Sequence, residues 1–207
     1  MGEIILSDTD IITKEIIQSY NFNKHEKPSE FINWTWDFFK ENYKSKSNNS
    51  VNGKIFENLV VYILAYEGIE NIYEQAEVVF VPNAIFDIVL YHPKKTHTLS
   101  LKTTLRERWK QADLEAYAIK NVLKESKSYV ITLSASEVNA RRKKYDMGED
   151  FYNGLDGFIL ANTKEFDDLI NILKDIDFMP SEKISIIRKE DRYSTLEKLN
   201  DKFGLGS

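Results

Sequence analysis

Hydrophobic positions along the chain switch between a helical period and a two-residue period. Ile11, Ile12, Ile16 and Ile17 fall at helical spacing within residues 9–20. A second helix starts at Ser29 and Glu30, just after Pro28, and carries Phe31, Ile32, Trp34, Trp36, Phe38 and Phe39. Residues 44–53, rich in Ser, Asn and Lys, read as a linker. A third helix is predicted over 54–66. Strand-like runs follow at 77–81 and 84–91, a polar turn at 92–97, and a strand at 98–103. A long helix is expected over about 105–124. Beyond it come a strand at 129–133, a helix at 136–144, a strand at 157–160 and a helix at 164–176. The order predicts an α/β fold, a mixed five-stranded sheet flanked by helices, with an N-terminal helical extension. Residues 1–50 form that extension and residues 51–207 the main domain. The aromatic helices of the extension are expected to pack, to dimerise or to contact a ligand; for Trp34 and Trp36, packing is the simpler reading.

Composition narrows the class. The 207 residues, 42% hydrophobic and 29% charged, are those of an ordinary globular protein. No cysteine is present, which excludes disulfides and thiolate metal sites. No apolar run approaches the roughly 20 residues of a membrane span, and no secretory pattern opens the chain, so a cytoplasmic protein without membrane contact is expected. The net charge of −5 argues against a nonspecific nucleic-acid coat. Charge is local, however: between Lys94 and Lys110 lie Lys94, Lys95, Lys102, Arg106, Arg108 and Lys110, against the single acid Glu107. His25, His92 and His97 are too scattered for a metal site, and there is no P-loop, nucleophile elbow or dinucleotide motif.

The candidate chemistry lies within that basic stretch and just before it. Asp87 interrupts the apolar run Ala84-Ile85-Phe86-Asp87-Ile88-Val89-Leu90, where an unpartnered acid is costly to bury. On the next strand, alternation puts Ser100 and Lys102 on one face and Leu99 and Leu101 on the other. Glu115 shares a helix face with Ala112, Ala118 and Ile119. Acids and a lysine at strand-like spacing suit metal-dependent phosphodiester hydrolysis: a cation lowers the pKa of the attacking water, and the lysine orients that water or stabilises charge. Magnesium, which takes oxygen ligands and usually only one or two carboxylates, is the expected ion. Arginines can pair bidentately with guanine edges, and a glutamate can accept from cytosine N4.

These residues resemble the PD-(D/E)xK nuclease superfamily through Asp87…Ser100-x-Lys102, with two departures. Phe86 stands where proline is common, and Ser100 where the second acid usually stands. Both departures occur together in one branch of type II restriction endonucleases, those reading sites with CC and GG steps. In that branch the displaced acid comes from the next helix, twelve or thirteen residues after the lysine. Here twelve residues, 103–114, separate Lys102 from Glu115. The branch also carries an Arg-Glu/Asp-Arg triplet starting four residues after the lysine, matched by Arg106-Glu107-Arg108. Glu57 matches a glutamate often found on the helix before the sheet.

The resemblance covers residues 87–115 specifically. It implies a restriction-endonuclease-like core, with Asp87 and Glu115 as metal ligands, Lys102 as the catalytic lysine and Glu57 as an outer acid. It further implies a Mg²⁺-dependent homodimer cutting double-stranded DNA at a short palindrome. Arg141, Arg142, Lys143 and Lys144 are candidate phosphate contacts. Two alternatives remain open: another nuclease of the superfamily, for repair or mobile elements, and a DNA-binding module that does not cut.

Overall fold

The structure, a computed structural model, describes residues 6–81, 84–106, 108–180, 187 and 193–205. Among these residues the chain forms seven α-helices and a six-stranded mixed sheet. The helices α1 (Asp8–Ser19) and α2 (Pro28–Asn42) lie near the expected bounds. Pro28 occupies the first turn of α2, where its missing N–H has no helical partner to lose.

Helix α3 runs Asn49–Tyr66, five residues longer at its N-terminus than the pattern suggested. The polar stretch read as a linker holds a 3-10 turn at Lys44–Lys46, the helix cap Asn48 and the first turn of α3. The Asn48 side chain accepts from the Ser50 and Val51 N–H groups, both at 3.0 Å, satisfying two donors that a helix start leaves orphaned.

The strands are β1 (Ile72–Ala76), β2 (Phe86–Leu90), β3 (His97–Lys102), β4 (Lys127–Thr132), β5 (Gly157–Leu160) and β6 (Tyr193–Ser194). Their spatial order is β5-β4-β3-β2-β1-β6. The first three pair antiparallel. β3, β4 and β5 pair parallel, which requires crossovers; α4 (Arg108–Val122) and α5 (Ala135–Asp146) provide them.

Two differences from the sequence pattern stand out. The first strand is 72–76 rather than 77–81, where Val78 makes a single bridge to Ile187. The register that pairs Ile72 with Leu90 and Ala76 with Phe86 decides this, and such pairing is not visible along the chain. A sixth strand, β6, also joins the sheet beyond β1, followed by helix α7 (Leu196–Phe203). With α6 (Lys164–Lys174) the helices flank both faces.

The main core unites Ile12 and Ile16 of α1, Phe31 and Phe39 of α2, and Phe56 and Leu59 of α3. Ile88, Leu99 and Leu101 join it from the sheet. A second cluster forms around Tyr73, Phe86 and Val89, and a third around Leu105, Trp109 and Phe158. Trp109 is 3% exposed, a core anchor. Among the described residues no helix is long and apolar enough to cross a membrane.

Candidate active site

Asp87 projects from β2 beside the end of β3, and four groups converge on its carboxylate. Oδ2 accepts the Leu101 backbone N–H at 2.7 Å, the Lys102 ammonium at 2.8 Å and the Ser100 hydroxyl at 3.3 Å. Oδ1 accepts the Gln75 side-chain amide at 3.3 Å. The side chains of Asp87 and Lys102 are only 13% and 22% exposed. The local reason is strand alternation: Leu99 and Leu101 are buried in the main core, leaving Ser100 and Lys102 on the opposite face. The acid in the apolar strand therefore has the partners that its burial demands.

Two further carboxylates complete the group. Glu57 comes from α3 and pairs with Lys54 at 3.3 Å. Burial raises its pKa above the usual carboxylate range. Lys54 and Lys102 oppose that rise, while the negative charge of Asp87 adds to it. Glu115 comes from α4, half-buried between Ala112, Ala116 and Ile119, and accepts from the Gln111 amide at 2.8 Å. Burial raises its pKa too. Gln111 and Lys102 oppose the rise and Asp87 contributes to it. Glu57 and Glu115 thus both lie within electrostatic reach of Asp87 and Lys102.

Three acids against the two lysines Lys54 and Lys102 leave an excess of negative charge, and burial raises the pKa of two of the acids, a donor set that suits a divalent cation. Among the described residues no group of three or more His, Cys, Asp or Glu side chains is gathered tightly enough to hold an ion. Magnesium usually takes only one or two carboxylates and keeps several waters. Two carboxylates such as Asp87 and Glu115 are enough for that requirement. The histidines sit in separate local contacts: His25 on Glu67, His92 on the Lys94 and Lys95 N–H groups, and His97 on the Lys95 carbonyl.

Beyond Lys102 the chain leaves β3 through a clamped turn. Glu137, in the first turn of α5, accepts the Leu105 and Arg106 backbone N–H groups, each at 2.9 Å. Burial pushes the Glu137 pKa up, but the Ser134 hydroxyl and these N–H groups outweigh it, so the carboxyl lies below its ordinary value. Arg106 has φ of +39°, left-handed and uncommon for a side chain larger than glycine. Its side chain is exposed, as is that of Arg108, the first residue of α4. Glu107 lies outside the described residues.

The basic run on α5 is partly engaged within the protein. Arg141 pairs with Asp150 at 3.0 Å and stacks over Trp109. Arg142 makes a two-pronged pair with Glu165 and donates to the Phe158 carbonyl. Lys143 and Lys144 are exposed.

Three residues escaped the sequence reading. Gln75 and Glu137 left no one-dimensional signal, because each acts through a partner on another element. Asp113 did leave one: it sits on the buried side of α4 between Ala112 and Ala116, an odd place for an acid.

Comparison with known proteins finds no matching family model and no significant match among curated proteins. A solved structure described as the restriction endonuclease PspGI–substrate DNA complex is similar. It covers 97% of this chain and 95% of its own, with a TM-score of 0.57 and 15% sequence identity. The mixed sheet, its flanking helices and this superposition give the chain the restriction-endonuclease-like fold.

Proposed function

We propose that this protein is a type II restriction endonuclease, making Mg²⁺-dependent double-strand breaks at a short palindromic DNA site with a CC/GG-type core. The observation that carries the reading is the convergence on Asp87 of Lys102 and the Leu101 N–H, with the half-buried acids Glu57 and Glu115 in electrostatic reach. DNA as the partner is supported by the similar solved structure, an endonuclease with its substrate DNA.

Magnesium, held by Asp87 and Glu115 with Glu57 direct or through water, would supply a water of lowered pKa and neutralise charge on the phosphate. Asp87 is oriented by the Leu101 N–H. The Lys102 ammonium orients the water or stabilises the charge that develops on the phosphate. Arg106, Glu107 and Arg108 read neighbouring G·C pairs in the major groove. One triplet per half of a palindrome requires two-fold symmetry, hence a homodimer. In this reading residues 51–207 carry catalysis in a cytoplasmic enzyme. Residues 1–50 serve dimerisation or DNA contact, and Lys143 and Lys144, with Arg141 and Arg142, lie along phosphates.

Digestion of DNA of known sequence with Mg²⁺, with the ends mapped, tests the reading. Discrete fragments ending at one G·C-rich palindrome are expected. A smear indicates a nuclease that grips phosphate without reading sequence. Intact DNA that is nevertheless bound indicates a binding module, and either outcome overturns the proposal.

A further inference from the structure

Strands β1 and β2 break their alternation at the same rung. Tyr73 and Ala76, three residues apart, pack in the same cluster, while Ile72 packs in the main core. A strict two-residue period would send Tyr73 and Ala76 to opposite faces. On β2, Phe86 and Val89 share that same cluster while Ile88 and Leu90 face the main core. The break falls between the rungs Glu74–Ile88 and Ala76–Phe86, that is, at Gln75 and Asp87. Gln75 has φ of +48°, and a left-handed non-glycine residue inside a strand persists only where its surroundings hold it. Its side-chain amide reaches Asp87 Oδ1, whereas the other three donors all go to Oδ2. Gln75 also lines a cleft of about 550 Å³ together with Glu57, Lys54 and Lys198.

We propose that Gln75 is a positioning residue of the metal site: its amide fixes the Oδ1 edge of Asp87, the edge that Lys102, Leu101 and Ser100 leave to a cation. The inference rests on the metal-site reading above. Its physical basis is that a ligating carboxylate binds well only when an outer partner sets its orientation, and loss of such a partner typically weakens metal binding about 10–100-fold. The competing role is purely structural, with Gln75 serving only to reset the alternation.

Substitution by glycine separates the two. Glycine adopts the left-handed conformation freely, so Gln75→Gly keeps the bend and removes the amide. Gln75→Asn is a second variant, since asparagine tolerates that conformation but its amide is one carbon shorter. Titration of Mn²⁺ followed by electron paramagnetic resonance, on the full chain without DNA, reads binding apart from cleavage. Thermal melting without metal reads the fold. Asp87→Ala is expected to lose binding. Gln75→Gly should bind Mn²⁺ about 10–100-fold more weakly with an unchanged or raised melting point, and Gln75→Asn should be weakened similarly. In cleavage assays higher Mg²⁺ should restore the rate of both, because the defect is in holding Asp87 and not in the chemical step. If either folded variant binds Mn²⁺ as tightly as wild type while Asp87→Ala does not bind, Gln75 is only a bend and the inference fails. If Asp87→Ala itself binds normally, the metal-site reading fails and the inference with it.

Discussion

The Asp113 carboxylate accepts the backbone N–H of Gly154 at 2.9 Å. With that bond the 153–155 loop is pinned to α4, two residues before Glu115. Asp113 also accepts the Leu155 N–H at 3.0 Å and, through its other oxygen, the backbone and side-chain N–H groups of Asn153. The approach is close: a Cβ on Gly154 would stand 2.0 Å from the Tyr117 backbone nitrogen. Glu115 therefore stands on a helix held in place by the 153–155 loop.

Removing that clamp should loosen the whole region. Asp113→Ala leaves three backbone donors unmet, each worth about 1–3 kcal/mol when buried, so a loss of about 3 kcal/mol or more is expected in denaturant unfolding. Gly154→Ala should be similarly damaging, because the obstacle is backbone. The pH dependence has a definite sign. Burial raises the Asp113 pKa, but the Asn153, Gly154 and Leu155 N–H groups outweigh it and leave the folded value below the ordinary one. The clamp's stability is therefore complete above the unfolded carboxylate pKa of about 4 and is lost as pH falls through the lowered folded value. The acid limb of the unfolding curve should flatten in Asp113→Ala. An unaltered acid limb would mean that the clamp contributes nothing to it.

Asp87→Ala should abolish cleavage while leaving the fold intact. Binding of DNA in Ca²⁺ should persist, since it rests on other residues. Cleavage by this variant at near the wild-type rate would remove Asp87 from the site.

Glu115→Ala should cost several kcal/mol of transition-state stabilisation, comparable to the loss of Lys102. Ser100→Ala should be far milder, because its hydroxyl lies 3.3 Å from an oxygen already held at 2.7 and 2.8 Å by Leu101 and Lys102. Single-turnover rates decide. A severe serine defect beside a negligible glutamate defect reverses the assignment.

Each bidentate arginine–guanine pair supplies about 1–3 kcal/mol of discrimination. Arg106→Ala and Arg108→Ala should therefore weaken binding to the cognate duplex far more than to a scrambled one at two salt concentrations. Equal weakening with a flatter salt dependence would mark both as phosphate contacts. Arg106→Gly adds a second check. Relief of the left-handed strain, about 1–2 kcal/mol for a non-glycine residue, offsets the entropy that glycine loses on folding, so melting should hold while discrimination falls. Methylation of the core cytosines on N4 should also impair binding if Glu107 faces them; indifference to the methyl group assigns Glu107 another task.

Much of the fold and most of the candidate site were legible along the chain. The helices α1, α2 and α6 follow from a 3.6-residue period, and β3 from Leu99 and Leu101 alternating with Ser100 and Lys102. Local stereochemistry determines these patterns, so they survive in one dimension. An acid in an apolar strand and a lysine two residues after a serine announced Asp87 and Lys102 for the same reason.

Tertiary structure alone decided the rest. Pairing register selected 72–76 over the more apolar run 77–81 as β1, because the partner strand β2 meets Ile72 at Leu90 and Ala76 at Phe86. The two-residue β6 is too short to show a period, and exists because β1 offers it an edge. Gln75 on Asp87, Glu137 on the Leu105–Arg106 turn and Asp113 on the 153–155 loop link residues 12 to 42 positions apart. A hydrogen bond across such a separation depends on where the packed elements bring donor and acceptor. The sequence by itself determined which side chains are candidates for the chemistry. Only packing decided which neighbours hold them in place, because orientation is a property of the contacts between elements and not of any one of them.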